Sequence, residues 1–246
     1  MSVLINLKHI PLKKISLFFV AGCFLVISCR KEKYVLIEKE SCVPQTANPA
    51  GRSYSDDSIV AFNCTSKHCG ILPLSTKNYW IYEDSIYQDG IFKAVKFDTL
   101  RFTTTRKSLS DGLVWWESNL EIGLPEMLYA NDSSFFGLKN RFFAPDIKDV
   151  KKEFGYFPGD SIRYLTSFDD AAAMGRSLKM ETPVATKAGV FNNCLFFEKN
   201  AFSYRIDQVI FKPGVGVIKY THQEAAPGTR VIKLQNISTL IKVYID

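Results

Sequence analysis

The side chains able to do chemistry are few and scattered. The segment CTSKHC (64–69) is the densest group of metal-ligating types, with Cys64, His68 and Cys69 inside six residues. Zinc takes cysteines two to four residues apart and needs four ligands. His68 is the one local histidine, and His222 lies far along the chain. A disulfide or a surface loop therefore accounts for the cluster better than a metal centre. Cys194 and His222 are nucleophile and base in type. Cys194, however, stands inside the strand-like VFNNCLFFEK, without the sharp turn or helix start that exposes and activates a thiol. PGVGVIK (213–219) lacks the strand, GxxxxGK[ST] and helix of a phosphate loop and reads as a β-turn set by Pro213. Asp56-Asp57 and Asp169-Asp170 are paired acids, but glycosidase chemistry needs two carboxylates facing across a cleft, about 5–10 Å apart. Asp169-Asp170 reads instead as charge at a helix start, and Asp56-Asp57 as part of a solvated tether. Trp80, Trp115 and Trp116 remain as the candidate ligand contacts, since an exposed indole stacks on a sugar or grips an apolar molecule. Neighbouring strand residues face opposite sides, so one of Trp115 and Trp116 enters the core and the other covers the far face. No catalytic set, cofactor or metal is expected.

The segments that would position these residues begin with a leader. Lys8, Lys13 and Lys14 precede an almost wholly apolar run at 15–28. That is a basic region and an apolar core of secretory-signal type. Fourteen helical residues rise about 21 Å, short of the roughly 30 Å hydrocarbon core, so the run does not read as a membrane span. Its end resembles the lipobox of bacterial lipoprotein signals, in which the cysteine after the cut is acylated. Val20-Ala21-Gly22-Cys23 is the closer match by letter. Val26-Ile27-Ser28-Cys29 uses the whole apolar run and leaves Arg30-Lys31-Glu32-Lys33 as a solvated start. Cys29 is the expected lipid attachment site, with Cys23 as the alternative. Residues 1–28 are then a signal peptide, 29–60 a flexible tether and 61–246 one β-rich domain.

Removing 28 of 246 residues leaves 218, enough to bury a core without staples. The leader takes three of 31 basic residues, leaving 28 against 25 acidic, a net charge of about +3. Both signs are interspersed along the chain, which argues against a nucleic-acid partner. Four cysteines remain in an export compartment that permits disulfides. One bridge is expected among Cys42, Cys64 and Cys69, either Cys64–Cys69 or Cys42 with either. Cys194 is read as a buried free thiol.

From about residue 59 the pattern is β. NYWIYEDSIY and IFKAVKFDTLRFT flank Asp89-Gly90, a hairpin signal because its turn needs positive φ. SDG (110–112) turns the chain into LVWWES, and SIRYLTSF alternates as a half-buried strand does. Lys187-Ala188-Gly189 marks a second hairpin and Pro213-Gly214 a break. Residues 168–177, FDDAAAMGRS, are expected to form a short helix. Successive hairpins imply an antiparallel meander curling into a curved sheet, half-open barrel or sandwich.

GILPLSTKNYWIYED, VATKAGVFNNCLFFEK and VIFKPGVGVIKY resemble strand and turn motifs of uncharacterised lipoproteins of the Bacteroidota. Some of these look like periplasmic lipoprotein carriers, whose curved sheet wraps a helix and shields an apolar ligand. The resemblance implies a fold and carries no functional residues with it. The expectation is a non-enzymatic outer-membrane lipoprotein, held by an acyl chain such as palmitate, that binds an apolar ligand, a glycan or a protein partner. The alternatives are a structural subunit of an outer-membrane assembly and, behind it, a hydrolase.

Overall fold

Apolar residues recurring every second position dictate strands, and the chain is built of them. A computed structural model describes residues 42–141, 143–155, 161–168 and 171–246; the leader, Cys23, Cys29 and Asp169-Asp170 lie outside the described residues. The segment Ser41–Asp246 is one body. It opens with β1 (Val43–Pro44), β2 (Ser53–Ser55), β3 (Ile59–Phe62) and β4 (His68–Cys69). A long hairpin follows, β5 (Tyr79–Gln88) and β6 (Ile91–Arg101). A meander comes next: β7 (Thr104–Ser108), β8 (Val114–Glu117), β9 (Met127–Ala130), β10 (Ser134–Arg141) and β11 (Ala144–Gly155). The remainder is β12 (Ser161–Ser167), β13 (Ala172–Lys179), the small hairpin β14 (Val184–Thr186) and β15 (Gly189–Phe191), then β16 (Leu195–Asn200), β17 (Arg205–Lys212), β18 (Gly216–Ala225) and β19 (Ile232–Tyr244).

Two large antiparallel sheets result, beside the small parallel pair β1–β4 and the hairpin β14–β15. The first runs β2-β11-β10-β9-β8-β7-β3 and the second β12-β13-β16-β17-β18-β19-β5-β6. Asp89 and Gly90 both take positive φ (55° and 79°), the backbone a two-residue hairpin turn demands.

The first sheet curls. Its edge strands β2 and β3 are joined by a single 3-10 turn, Asp56–Ser58, so its two edges lie within about 15 Å of each other. Inside the roll, Tyr54, Ile59, Trp115, Tyr129, Phe136, Leu138 and Val150 form one core. Arg52 and Tyr54 both donate to Asp111 Oδ2, at 2.5 and 2.7 Å, fastening β2 to the β7–β8 turn. The opposite face carries Trp116, Leu128 and Phe135 into a larger core shared with Trp80, Tyr82, Phe211 and Tyr220 of the second sheet. Trp115 and Trp116 thus enter different cores, as strand alternation requires.

Two expectations are corrected. Residues 42–60 are not a free tether. Val43–Pro44 pairs with β4, Ser53–Ser55 with β11, and buried Tyr54 and Ile59 hold the segment in the roll. Within the expected helix, residues 172–177 belong to strand β13 instead. Ala173, Gly175 and Ser177 point inward, and Tyr164 of β12 covers Gly175 so closely that a Cβ there would collide with its ring. Packing between β12 and β16 overrides the helix preference of the alanines.

Candidate functional site

The strand register writes two parallel rows across the inner face of the second sheet. In one row Phe197, Val209, Tyr220, Ser238 and Asp84 lie side by side; in the next, two residues along each strand, stand Lys199, Asp207, His222 and Asn236. The first row seals the core. The second is charged, and at its Lys199–Asp207 end it borders an open cleft of about 1220 Å³ between the sheets.

Charges alternate in sign around this cleft. Glu153 of β11 lies between Lys139 at 3.2 Å and Lys199 at 2.8 Å. Lys199 also donates to Ser167 O at 3.1 Å and sits 5.0 Å over the Phe168 ring. Burial lowers the Lys199 pKa, against the pull of Glu153. Arg205 lies between Glu121 and Asp207, and its guanidinium stacks 4.7 Å from the Phe168 centroid. Burial works against the Arg205 charge, but Asp207 and Glu121 overcome it and raise the pKa. Burial likewise opposes the Asp207 charge, yet hydrogen bonds with His222 and Arg205 hold its pKa below the usual carboxylate value. His222 Nδ1 is 2.7 Å from Asp207 Oδ1, and its Nε2 is 3.4 Å from Glu224.

Loops complete the cleft. The 118–126 connection supplies Glu121, and Gly123 (φ 73°) lies so close on Val209 and Tyr220 that a side chain there has no room. The β16–β17 loop holds Phe202 and Ser203 at positive φ (25° and 60°) and presents Tyr204, 36% exposed, to the cleft. Backbone strain of this kind is costly and gathers at binding sites.

An Asp–His pair activates a nucleophile only when a hydroxyl or thiol is within reach. Among the described residues the polar partners of the His222 ring are Asp207 and Glu224, while the Tyr220 ring stacks on it at 6.3 Å, ring over ring, and is not hydrogen-bonded to it. Cys194 is buried and rests 3.5 Å from Phe191 O. It lies one residue beyond the Leu195–Phe211 pair, whereas His222 faces Asp207, so about 17 Å of strand separates the two. The thiol–base pair does not form.

The CTSKHC segment resolves differently. Cys69 is bridged to Cys42, with Cα atoms 5.4 Å apart, and Cys64 stays a buried thiol. His68 faces inward, where Trp116 Nε1 donates to its Nδ1 at 3.2 Å. Indole is a donor only, so the neutral ring carries its proton on Nε2 and directs it at Cys64 Sγ, 3.5 Å away. Burial lowers the His68 pKa and favours this neutral form. The imidazole therefore has no lone pair to offer Cys64, and the set is structural. Among the described residues no group of three His, Cys, Asp or Glu side chains converges as a metal site does.

Trp80, Trp115 and Trp116 are each fully buried and offer no ligand platform. Trp80 Nε1 donates instead to Val215 O at 2.7 Å, tying β5 to the β17–β18 turn. Asp56 pairs with Lys148 at 2.8 Å. The sequence reading missed Glu153, Lys199, Arg205 and Asp207. A signal existed: in RIDQVIF the inward positions run Arg205, Asp207, Val209, Phe211, putting two charges on a core-facing stripe.

No family model, curated protein or solved structure is similar to the chain.

Proposed function

We propose that this chain is an exported lipoprotein, acylated at Cys29, whose body binds a hydroxyl-rich ligand of glycan type in the cleft beside Lys199, Arg205 and Asp207, without chemical conversion. The observation that carries the reading is the alternating charged row, set next to the strained loop that presents Tyr204. A fatty ligand would strip water from the Glu121 carboxylate, whose side chain is 70% exposed at the cleft, and offer it nothing, a cost of about 1–3 kcal/mol for a stranded group. Hydroxyl groups replace that water with hydrogen bonds. The Cys42–Cys69 bridge supports export, since such bonds persist in oxidising compartments.

Titration calorimetry of the mature protein against a panel of envelope and host glycans tests the site. Tyr204→Ala, at a partly exposed loop position, should weaken binding at least tenfold with an unchanged melting temperature. Equal binding by parent and variant would remove the cleft from consideration. Intact-mass measurement tests the anchor: the mature chain should begin at Cys29 and carry acyl chains, and an unmodified or Cys23-initiated chain would refute the assignment. A subunit role in a larger assembly is the second reading, favoured by the apolar exposure of β6.

A further inference from the structure

The two ends of the cleft differ in charge. At one, Arg205 shares two carboxylates, Glu121 and Asp207. At the other, amino groups from three strands meet on one residue of β12. Lys139 of β10 and Lys199 of β16 donate to Ser167 O at 3.5 and 3.1 Å, and Lys151 of β11 donates to Ser167 Oγ at 3.4 Å. Among the described residues this corner holds few acids. Glu153 is divided between Lys139 and Lys199. Asp149, which faces Lys139 across the β10–β11 ladder, accepts two bonds from Arg141, at 3.1 and 2.8 Å. Here Lys139, Arg141, Lys151 and Lys199 share Asp149 and Glu153, an excess of cations over carboxylates among the described residues.

The amino groups also keep donors in reserve. An ammonium carries three N–H groups. Lys199 uses two, on Glu153 Oε2 at 2.8 Å and on Ser167 O, and the third has only the Phe168 ring, 5.0 Å away, at the cleft that Lys199 lines. Lys151 is exposed and uses one, on Ser167 Oγ. Glu153 is held in place between its lysines. Its side chain lies along Gly137, where a Cβ would stand 3.1 Å from Glu153 Cγ, and its main-chain oxygen accepts from the Tyr164 hydroxyl at 3.1 Å. Burial lowers the Lys199 pKa, Glu153 opposes that, and the like charge of Lys139 adds to it. A further anion at this corner would stabilise the charged lysine.

We propose that this corner is an anion subsite, and that the glycan bound in the cleft is an acidic one whose carboxylate, sulfate or phosphate is held by Lys199 and Lys151. The inference rests on the glycan reading of the cleft and assigns the class of its ligand. The charge difference between the ends sets the ligand's direction. Its anionic group goes to the Ser167 end, because at the other end it would face Glu121 and Asp207. There the exposed Glu121 carboxylate accepts from the sugar hydroxyls. Hydrogen bonds between charged groups are roughly twice as strong as neutral ones, so the subsite selects an acidic sugar over a neutral one of the same shape.

Titration calorimetry of the mature protein against one oligosaccharide in three forms tests this: neutral, oxidised at its primary hydroxyls to carboxylates, and sulfated at the same positions. At least one acidic form should bind about tenfold tighter than the neutral one, and which of them does so names the group. The gain should shrink as salt rises from about 20 mM to about 0.5 M. Lys151→Gln, at an exposed position, should cut the ratio of acidic to neutral affinity about fivefold with unchanged melting. Inorganic sulfate is a probe that needs no sugar. Against chloride at equal ionic strength it should protect Lys151 from acetylation, mapped by peptide mass, and leave the exposed Lys93 of β6 unprotected. Equal affinity for all three forms, a ratio untouched by Lys151→Gln, or no protection by sulfate would overturn the proposal. Protection by sulfate with no binding of any form would uphold the anion subsite and overturn the glycan reading of the cleft.

Discussion

Replacing both members of the Cys42–Cys69 bridge by serine tests whether the first segment of the body is structural. The bridge closes a chain separation of 27 residues. Loop-closure entropy for a loop of that size comes to roughly 12 cal/mol/K, or about 3.5 kcal/mol at room temperature. For a body of this size 1 kcal/mol corresponds to about 2–4 °C in melting temperature, so the double variant should melt about 7–14 °C below the parent. In urea the midpoint should fall and the slope rise slightly, because the unfolded chain without the cross-link exposes more surface. Changing both cysteines avoids leaving a lone thiol beside its former partner. Parallel scans of the parent with and without reductant give an independent measure. A double variant melting within about 1 °C of the parent would refute the reasoning, because 42–69 would then be held wholly by its other contacts or not held at all.

Two further outcomes are expected. Asp84, buried beside Asp98 on the inner face, has its pKa raised to about 6, first by burial and then by the neighbouring carboxylate. Its folded-state value exceeds its unfolded one, so it favours the folded state when protonated and loses that contribution as pH rises through about 6. Asp84→Asn should therefore stabilise the protein relative to the parent at neutral pH and not below about pH 4; a parent–variant difference that is flat with pH in urea melts would exclude this. Gly175→Ala separates strand from helix at β13. An alanine in a helix would stabilise, whereas against the Tyr164 ring it should cost about 1–3 kcal/mol, read from chemical denaturation, and a gain would contradict the packing described.

The strands were legible because their signals are local. Asp89-Gly90, the Ser110–Gly112 turn and the alternation around Trp115-Trp116 each follow from φ preferences or a period of two, and each appears where the sequence puts it. The long-range partners were not. Nothing near Ser53 announces that it pairs with Asp149, and a polar, proline-bearing stretch reads as tether until its distant strand is known. Ala172–Lys179 misled for the same reason: alanine favours a helix unless neighbours on both sides supply a ladder. The tryptophans drew notice as rare, large residues and proved to be core. The charged row went unseen because Lys199, Asp207 and His222 are adjacent only across three strands.

The order in which strands meet sets when this body can fold. Both sheets are finished by segments far apart in sequence: Ser55 waits for Ile147, and Ile86 waits for Asn236. Until the thirteen residues of β19 are present, the β5–β6 hairpin has no partner along β5 in its sheet. Assembly must therefore follow synthesis of nearly the whole chain and proceed slowly, as contacts of such high order do. A polypeptide that stays open that long exposes its apolar strands throughout synthesis, and any truncation before Ile232 should leave a sticky, protease-sensitive product.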